Sequence, residues 1–259
     1  GGRKAICPGL CAVETVMAWH SPAMLAPAEA CAGNLWRNPV HEEALAVADL
    51  AGGADFILNT VLDERRRVTG VHCGDLRTAH LQGMRQAERQ AKVVLPEPVD
   101  IVITSAAGYP LDLTFYQGIK GMVAALPILK PGGTLIIAQE NAEGLGGPEF
   151  SERVLGETSL EGFLERVFGG EVCVIDQWQL QEMQKVACRA RIMNYSTGLP
   201  AEVQRQAFVE PLSSVEAGVA EALAQHGPGA TIAVIPEGPY VLACLADDLV
   251  GSRSVAEMG

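Results

Sequence analysis

Val99-Asp100-Ile101-Val102-Ile103-Thr104 is an almost unbroken apolar run, and its reading decides the fold. A strand with one solvated face alternates apolar and polar residues. A run that stays apolar belongs to a strand covered on both faces, the condition of a parallel sheet between layers of helix. The same texture recurs downstream: a helix is expected from about Leu113 to Leu129, Lys130-Pro131-Gly132-Gly133 reads as a turn, and Thr134 to Ala138 reads as a second buried strand. A strand at Val172 to Ile175, a helix from Gln177 to Arg191, a strand near Ile192 to Tyr195, a helix from Val215 to His226 and a last strand from Thr231 to Ile235 complete the pattern. Such alternation gives parallel strands joined by right-handed crossovers. The expectation for residues 95–259 is an open, three-layer, Rossmann-like α/β domain with a loosely packed tail after Leu245.

Upstream of Pro96-Glu97-Pro98 the texture differs, and that proline pair marks the expected boundary of a first domain over 1–94. The first forty residues are loop-rich, with a short helix from about Ala12 to His20 before Pro22 and Pro27 break the pattern. His41 to Leu50 reads as a helix ended by Gly52-Gly53. Phe56 to Val61 and Val68 to His72 read as a hairpin, and Leu76 to Lys92 as a polar helix with Asp75 as its cap.

Composition narrows the function classes. Of 259 residues, 48% are hydrophobic and 19% charged, an ordinary globular balance. The net charge of −12 repels phosphate backbones and argues against nucleic acid as a partner; Arg65-Arg66-Arg67, after Asp63 and Glu64, reads as a solvated turn. No apolar run has the length of a membrane span. Seven scattered cysteines without a C-x-x-C pair support neither a zinc site nor a disulfide framework, so reduced thiols and a cytoplasmic location are expected.

Several residues are candidates for chemistry. The loop Ser105-Ala106-Ala107-Gly108-Tyr109-Pro110 leaves a buried strand at its carboxyl end, where open α/β sheets bind ligands, although plain crossovers look the same. On the next helix Gln117 and Lys120 project from one face, an amide and an ammonium suited to a carboxylate, or simply a solvated face. Trp178, at a strand-to-helix turn, reads by itself as core packing. Taken alone, Lys4 is a solvated lysine and His20 a helix-end histidine bonding its last carbonyls; His41 helps begin a helix, and His72 is a satisfied core residue.

Together these segments resemble the nickel-dependent lactate racemases and their hydroxyacid racemase and epimerase relatives. The resemblance is carried by Gly1-Gly2-Arg3-Lys4 with Pro8-Gly9, Ala18-Trp19-His20-Ser21-Pro22, Asn38-Pro39-Val40-His41-Glu42, and Ala51-Gly52 with Phe56-Ile57-Leu58-Asn59 and Gly74-Asp75. It continues through Thr104 to Asp112, Tyr116-Gln117-Gly118-Ile119-Lys120-Gly121-Met122 and Asp176-Gln177-Trp178-Gln179. It implies that residues 1–94 are the remainder of a cofactor-binding α/β domain. It further implies that Lys4 is linked covalently to a pyridinium-3,5-bisthiocarboxylic acid mononucleotide, the nickel pincer, with His20 as the nickel ligand. Imidazole beside soft sulfur donors is a reasonable set for that metal. Tyr116 and Trp178 are then cofactor neighbours, and Gln117 and Lys120 catalytic residues toward a 2-hydroxy acid.

The family's reaction, so implied, passes a hydride to the cofactor and returns it to either face, with two histidines as alternate acid and base. In the family both lie upstream of the lysine motif and are absent from this sequence, so the start at Gly1 is expected to be a cut end and the chain alone inactive. Partners implied are the small-molecule substrate and the cofactor-synthesis and nickel-insertion proteins. A cofactor-carrying, non-catalytic relative is the competing reading. Leu129 to Ile136 also looks like the late-strand turn of class I methyltransferases, but no acidic Gly-rich loop lies upstream, and no G-x-G-x-x-G supports a dinucleotide dehydrogenase.

Overall fold

The computed structural model describes residues 2–246, so the expected loose tail lies outside the described residues from position 247 onward. The described residues divide at Lys92/Val93 into two compact units, a few positions ahead of Pro96-Glu97-Pro98.

The first unit opens with a 3₁₀ turn at Gly2–Ala5, followed by helices α1 (Val13–Trp19), α2 (Pro22–Leu25) and α3 (Pro39–Leu50), a hairpin β1 (Ile57–Leu62) and β2 (Val68–Gly74), and helix α4 (Leu76–Ala91). Local chemistry sets these boundaries. Pro22 and Pro39 stand in the first turns of α2 and α3, where a missing N–H costs nothing. The Asn38 side chain accepts from the amides of Val40 and His41, and the Asp75 side chain from those of Arg77 and Thr78. The arginine run is a turn organised by Asp63, whose Oδ1 accepts from the backbone of Arg65 and Arg67 at 2.9 Å. The hairpin is antiparallel, and α4 packs on one of its faces.

The second unit, Val93–Ala246, holds β3 (Lys92–Leu95, reaching one residue upstream), β4 (Val99–Ser105), α5 (Phe115–Ala125), β5 (Leu129–Gln139), α6 (Pro148–Gly156), α7 (Leu160–Phe168), α8 (Gln177–Ala187), β6 (Ala190–Ser196), α9 (Ala201–Gln206), β7 (Glu210–Pro211), α10 (Val215–His226), β8 (Ile232–Ile235) and β9 (Leu242–Leu245). Its main sheet runs β7-β6-β5-β4-β8, and every pairing in it is parallel. Both faces are covered, as the apolar run of β4 requires. Val102, Leu135 and Ile137 point into a core with Phe115, Ile119 and Met122 of α5, Phe150, Phe163, Leu180 and Met183. Ile101 and Ile136 point the other way, onto Ala222, Val219 and Leu223 of α10. This is the three-layer α/β class read from the sequence.

Several elements differ from that reading. Lys130-Pro131-Gly132-Gly133 is not a turn before a strand but lies inside β5, where pairing with β4 shifts between Val99 and Ile101. Gly133 allows this, because a Cβ there would sit 2.8 Å from the Asp100 carbonyl, while Lys130 bonds Asp100 at 2.8 Å. The methyltransferase-like likeness of that segment is thus a strand irregularity. Val172 to Ile175 forms no strand: the Val174 amide donates to the Gln177 side chain instead of a ladder, at 2.9 Å. Helices α6, α7 and α9 were not anticipated, and Thr231 to Ile235 is not last, since β9 follows and pairs with β3 in a separate two-stranded sheet. Helix α5 is shorter than expected, because Leu111–Leu113 is a 3₁₀ turn, Thr114 is the cap, and Pro127 closes the far end in a second 3₁₀ turn.

Helix α5 lies close on the sheet at Gly121, where an added Cβ would meet the Ser105 carbonyl at 2.6 Å. Gly121→Ala must lift the helix from its core contacts and is expected to cost about 1–3 kcal/mol, read as a lower urea midpoint with unchanged slope; an unchanged midpoint contradicts the packing described.

Candidate functional site

In the second unit, polar residues gather where β4 and β5 end. The loop after β4 turns through two consecutive left-handed residues, Ala107 (φ 66°) and Gly108 (φ 67°). Ser105 steadies it: its hydroxyl accepts from the Ala107 amide at 2.9 Å and donates to the Pro236 carbonyl. Asp112 ties this loop to the one after β5, its carboxylate accepting from the Glu140 amide (3.3 Å) and its carbonyl from the Asn141 amide (2.7 Å). Thr114 then caps α5 by accepting from the Gln117 amide at 3.4 Å.

On that helix Lys120 Nζ donates to Gln117 Oε1 at 2.6 Å, with Lys120 exposed and Gln117 half-buried. The pair therefore forms one polar unit, with the ammonium outermost. Beneath it, Gly118 faces the sheet, where an added Cβ would collide with Gln139 Oε1. Gln139 is held there by a buried amide chain: its Nε2 donates to Asn194 (2.7 Å), Asn194 to Gln204 (2.9 Å) and Gln204 to the Leu199 carbonyl (2.8 Å). Sequence reasoning missed this chain, because three amides on β5, β6 and α9 share no period or motif. Asp112 Oδ1, Gln139 Oε1 and both side-chain polar atoms of Asn141 are buried without a protein partner, the condition in which native proteins place water or a ligand.

Tyr116 and Trp178 are brought together: Trp178 Nε1 donates to the Tyr116 hydroxyl at 3.0 Å, and the Gln179 side chain donates to the Tyr116 carbonyl at 3.0 Å. Phe150 meets the phenol ring edge-on at 5.2 Å. Burial, and then the negative charge of Asp176, push the Tyr116 hydroxyl up to about 12, while the Trp178 N–H works the other way. Tyr116 is therefore neutral at physiological pH and a hydrogen-bonding group only. Trp178 is buried, so it also fills the packing role that the isolated residue suggested.

In the first unit Lys4 stands exposed on the opening 3₁₀ turn. The turn is tightly fastened. The Gly2 amide donates to Asn59 Oδ1 at 3.0 Å, and Gly2 is left-handed (φ 58°) with the His80 ring where a Cβ would go. Arg3 Nε donates to the His41 carbonyl at 3.3 Å. Cys7, three residues beyond Lys4, and Trp19, beside His20, share one small buried cluster with Ala44. His20 Nδ1 pairs with the Val16 carbonyl at 2.8 Å, as the plain reading of a helix-end histidine supposed. That bond puts the proton on Nδ1 and the lone pair on Nε2, the arrangement of metal-bound histidines with an ordered outer shell. An exposed primary amine and an oriented imidazole fit a lysine-linked, metal-carrying group. Among the described residues no group of three or more His, Cys, Asp or Glu is set to hold a metal ion, so a metal at His20 would take its remaining donors from such a group.

His41 and His80 form a feature that sequence reasoning passed over. Their rings lie 6.3 Å apart, and His41 Nδ1 is buried without a partner. Burial first, and then the Arg3 guanidinium, lower both imidazoles to about 4. His72, read as a satisfied core residue, is satisfied by Gln86 Oε1 at 2.8 Å but is only half-buried.

Fold and site together define an open α/β domain with a polar cluster at the carboxyl edge of its parallel sheet, preceded by a smaller unit bearing an exposed lysine on a fastened turn. Comparison with known proteins places it. The sequence pattern of the lactate racemase C-terminal domain matches residues 94–243. The lactate racemases of Lactiplantibacillus plantarum and Thermoanaerobacterium thermosaccharolyticum are 31% and 32% identical over 244 residues, 93% of this chain and 57% of each relative. The apoprotein structure of the Thermoanaerobacterium lactate racemase superposes with a TM-score of 0.88 at 31% identity, over 94% of this chain and 58% of that one. A Thermotoga maritima structure, at 12% identity and a TM-score of 0.57, shares the fold alone. The chain belongs to the lactate racemase family. It spans somewhat more than half the length of these relatives. No helix among its described residues is long and apolar enough to cross a membrane.

The two lowered histidines make a pH prediction. Their folded values of about 4 lie below the ordinary 6.5, so the unfolded chain takes up protons first as the pH falls. Stability present above 6.5 is lost progressively toward 4. Between pH 7 and pH 5 the loss is expected to be on the order of 1 kcal/mol per histidine, discounted for partial solvent access. Urea unfolding at the two pH values should show it, and His80→Gln should flatten the dependence; an equal slope in that variant contradicts the assignment.

Proposed function

We propose that this chain is the cofactor-attachment and substrate-clamping part of a 2-hydroxy acid racemase or epimerase. The observation that carries the reading is the Gln117–Lys120 pair on α5, at the carboxyl edge of the sheet in a lactate racemase family domain. Lys120 supplies the positive charge for a substrate carboxylate, and Gln117, held at 2.6 Å, supplies direction. Tyr116, neutral and bonded to Trp178, forms a rigid wall beside the clamp rather than a proton donor.

In the first unit Lys4 is the amine that carries the nickel-pincer mononucleotide, and His20 is its protein ligand to nickel. When bound, that group supplies a reversible hydride acceptor, which removes the need to deprotonate a weakly acidic Cα–H. Cofactor-synthesis and nickel-insertion proteins are the partners this requires.

None of the chain's five histidines is set up as the acid/base pair. His41 and His80 are withdrawn and neutral, His72 is engaged by Gln86, His226 pairs with Thr134 at 2.9 Å, and His20 is assigned to the metal. The chain by itself is therefore expected to carry cofactor and bind hydroxy acid without turnover.

The test is co-expression with cofactor-synthesis and nickel-insertion proteins, followed by intact mass and nickel content. The parent should show a mass adduct and bound nickel, Lys4→Ala should lose both, and His20→Ala should keep the adduct while losing nickel at least tenfold more readily. A parent without adduct, or an adduct that survives Lys4→Ala, overturns the reading. On loaded protein, Lys120→Ala is expected to weaken lactate binding about tenfold or more, consistent with loss of a charge-assisted hydrogen bond; unchanged binding by calorimetry removes Lys120 from the clamp.

A further inference from the structure

Arg3 is half-buried, and none of the ion pairs among the described residues includes it. In a chain of net charge −12 an arginine withdrawn from solvent ordinarily has an acidic partner. Its Nε donates to the His41 carbonyl at 3.3 Å, which leaves the terminal fork of the guanidinium without a bond to a described residue. Three further nitrogen-bearing groups around it are in the same condition. His41 is only 9% exposed, yet its Nδ1 has no partner. The His80 ring lies 6.3 Å from that of His41 and forms no hydrogen bond with a described residue. It also presses on Gly2, where an added Cβ would lie 2.4 Å from the ring Cγ. Asn59 uses its oxygen to accept from the Gly2 amide at 3.0 Å, and its Nδ2 is buried with nothing to donate to. Because Gly2 and Arg3 are consecutive, these contacts draw the four side chains into one cluster.

The cluster has a surplus of donors. A guanidinium and an amide N–H2 only donate, and an imidazole can donate from either ring nitrogen. Arg77, the next cation on the same helix as His80, is already paired with Asp49 at 2.5 Å. Burial first, and then Arg3, hold both rings low, the behaviour of a positive site without a counter-charge. We propose that Arg3, His41, Asn59 and His80 form a binding site for a phosphate-class oxyanion, built from residues of the first unit alone and adjoining the exposed Lys4. Arg3 grips two oxygens with its fork, half-buried His80 adds a ring N–H from α4, and the His41 and Asn59 nitrogens serve the oxygens that remain. A tetrahedral oxyanion has an oxygen for each of these donors, which a planar carboxylate or a halide lacks. The site does not rest on the racemase reading. A phosphate group can reach it free in solution or as the end of a nucleotide held at Lys4, and the test separates the two.

The full chain is titrated with inorganic phosphate at constant ionic strength, with chloride as the reference. The readout is the pair of His41 and His80 ring resonances, each identified by its loss in His41→Gln or His80→Gln. Phosphate should move both saturably, with a midpoint in the millimolar range or below. Arg3→Gln should weaken binding about tenfold or more through loss of charge-assisted bonds, and Arg3→Lys, which keeps the charge without the fork, should fall between. Should Arg3→Gln fail to fold, His80→Gln carries the same expectation of weaker binding, read through the His41 ring. The absence of a saturable shift, an equal shift with chloride, or parent-strength binding in the variants that fold overturns the site. Chain bearing the Lys4 adduct distinguishes the sources. Loss of the response to added phosphate, with an adduct phosphorus resonance that moves in Arg3→Gln, supports the nucleotide's own phosphate as occupant; an undiminished response supports free phosphate. A chain that takes no adduct yet binds phosphate refutes the racemase reading and leaves the site standing.

Discussion

Helix α5 can lie flush on the ends of β4 and β5 because two of its residues, Gly118 and Gly121, have no side chain. Gln139 Oε1 fills the place of one missing Cβ, and the Ser105 carbonyl fills that of the other. The rest of the second unit's polar edge depends on this approach. Gln139 can stay so close only because the amide chain through Asn194 and Gln204 satisfies its donor in a dry interior, where an unpaired amide costs 1–3 kcal/mol or more. The glycines and the amides are therefore one device: the first creates the contact, and the second makes it affordable. Gln117 and Lys120 then stand at the sheet's edge on a rigid helix rather than a mobile loop, which is where a clamp with a fixed direction has to be built.

Electrostatics at that edge are arranged by direction rather than by quantity. The chain as a whole is strongly acidic, which by itself disfavours a carboxylate ligand. Lys120 opposes that field locally with its charge outward, and the neutral Gln117 amide orients it. The negative charge of Asp176 acts on Tyr116 and, with burial, keeps that tyrosine neutral.

The first unit uses the same logic at a smaller scale. The turn that bears Lys4 is fastened at Gly2 by Asn59 and at Arg3 by the His41 carbonyl, and Cys7 anchors it in a core shared with Trp19. Lys4 is left exposed on a short segment whose two preceding residues are engaged. His41 and His80 remain neutral beneath it, because burial and a guanidinium both disfavour a second cation there.

How much of this was legible in the sequence follows from what each signal depends on. The apolar run at Val99–Thr104 announced a strand covered on both faces, and the cap Asp75 and the charged turn after Asp63 announced local structure, because these are decided by neighbours in the chain. The spacing of Gln117 and Lys120 on a helix face was legible for the same reason. What the sequence could not decide were contacts between residues far apart along it: the amide chain from Gln139 to Gln204, the His41–His80 pair, the bulge of β5 at Gly133 against Asp100, and the bond from the Trp178 indole to the Tyr116 hydroxyl. Each is set by which elements come to lie side by side, and that is fixed by the packing of the whole unit, where side chains sixty residues apart must fill one another's space and satisfy one another's hydrogen bonds.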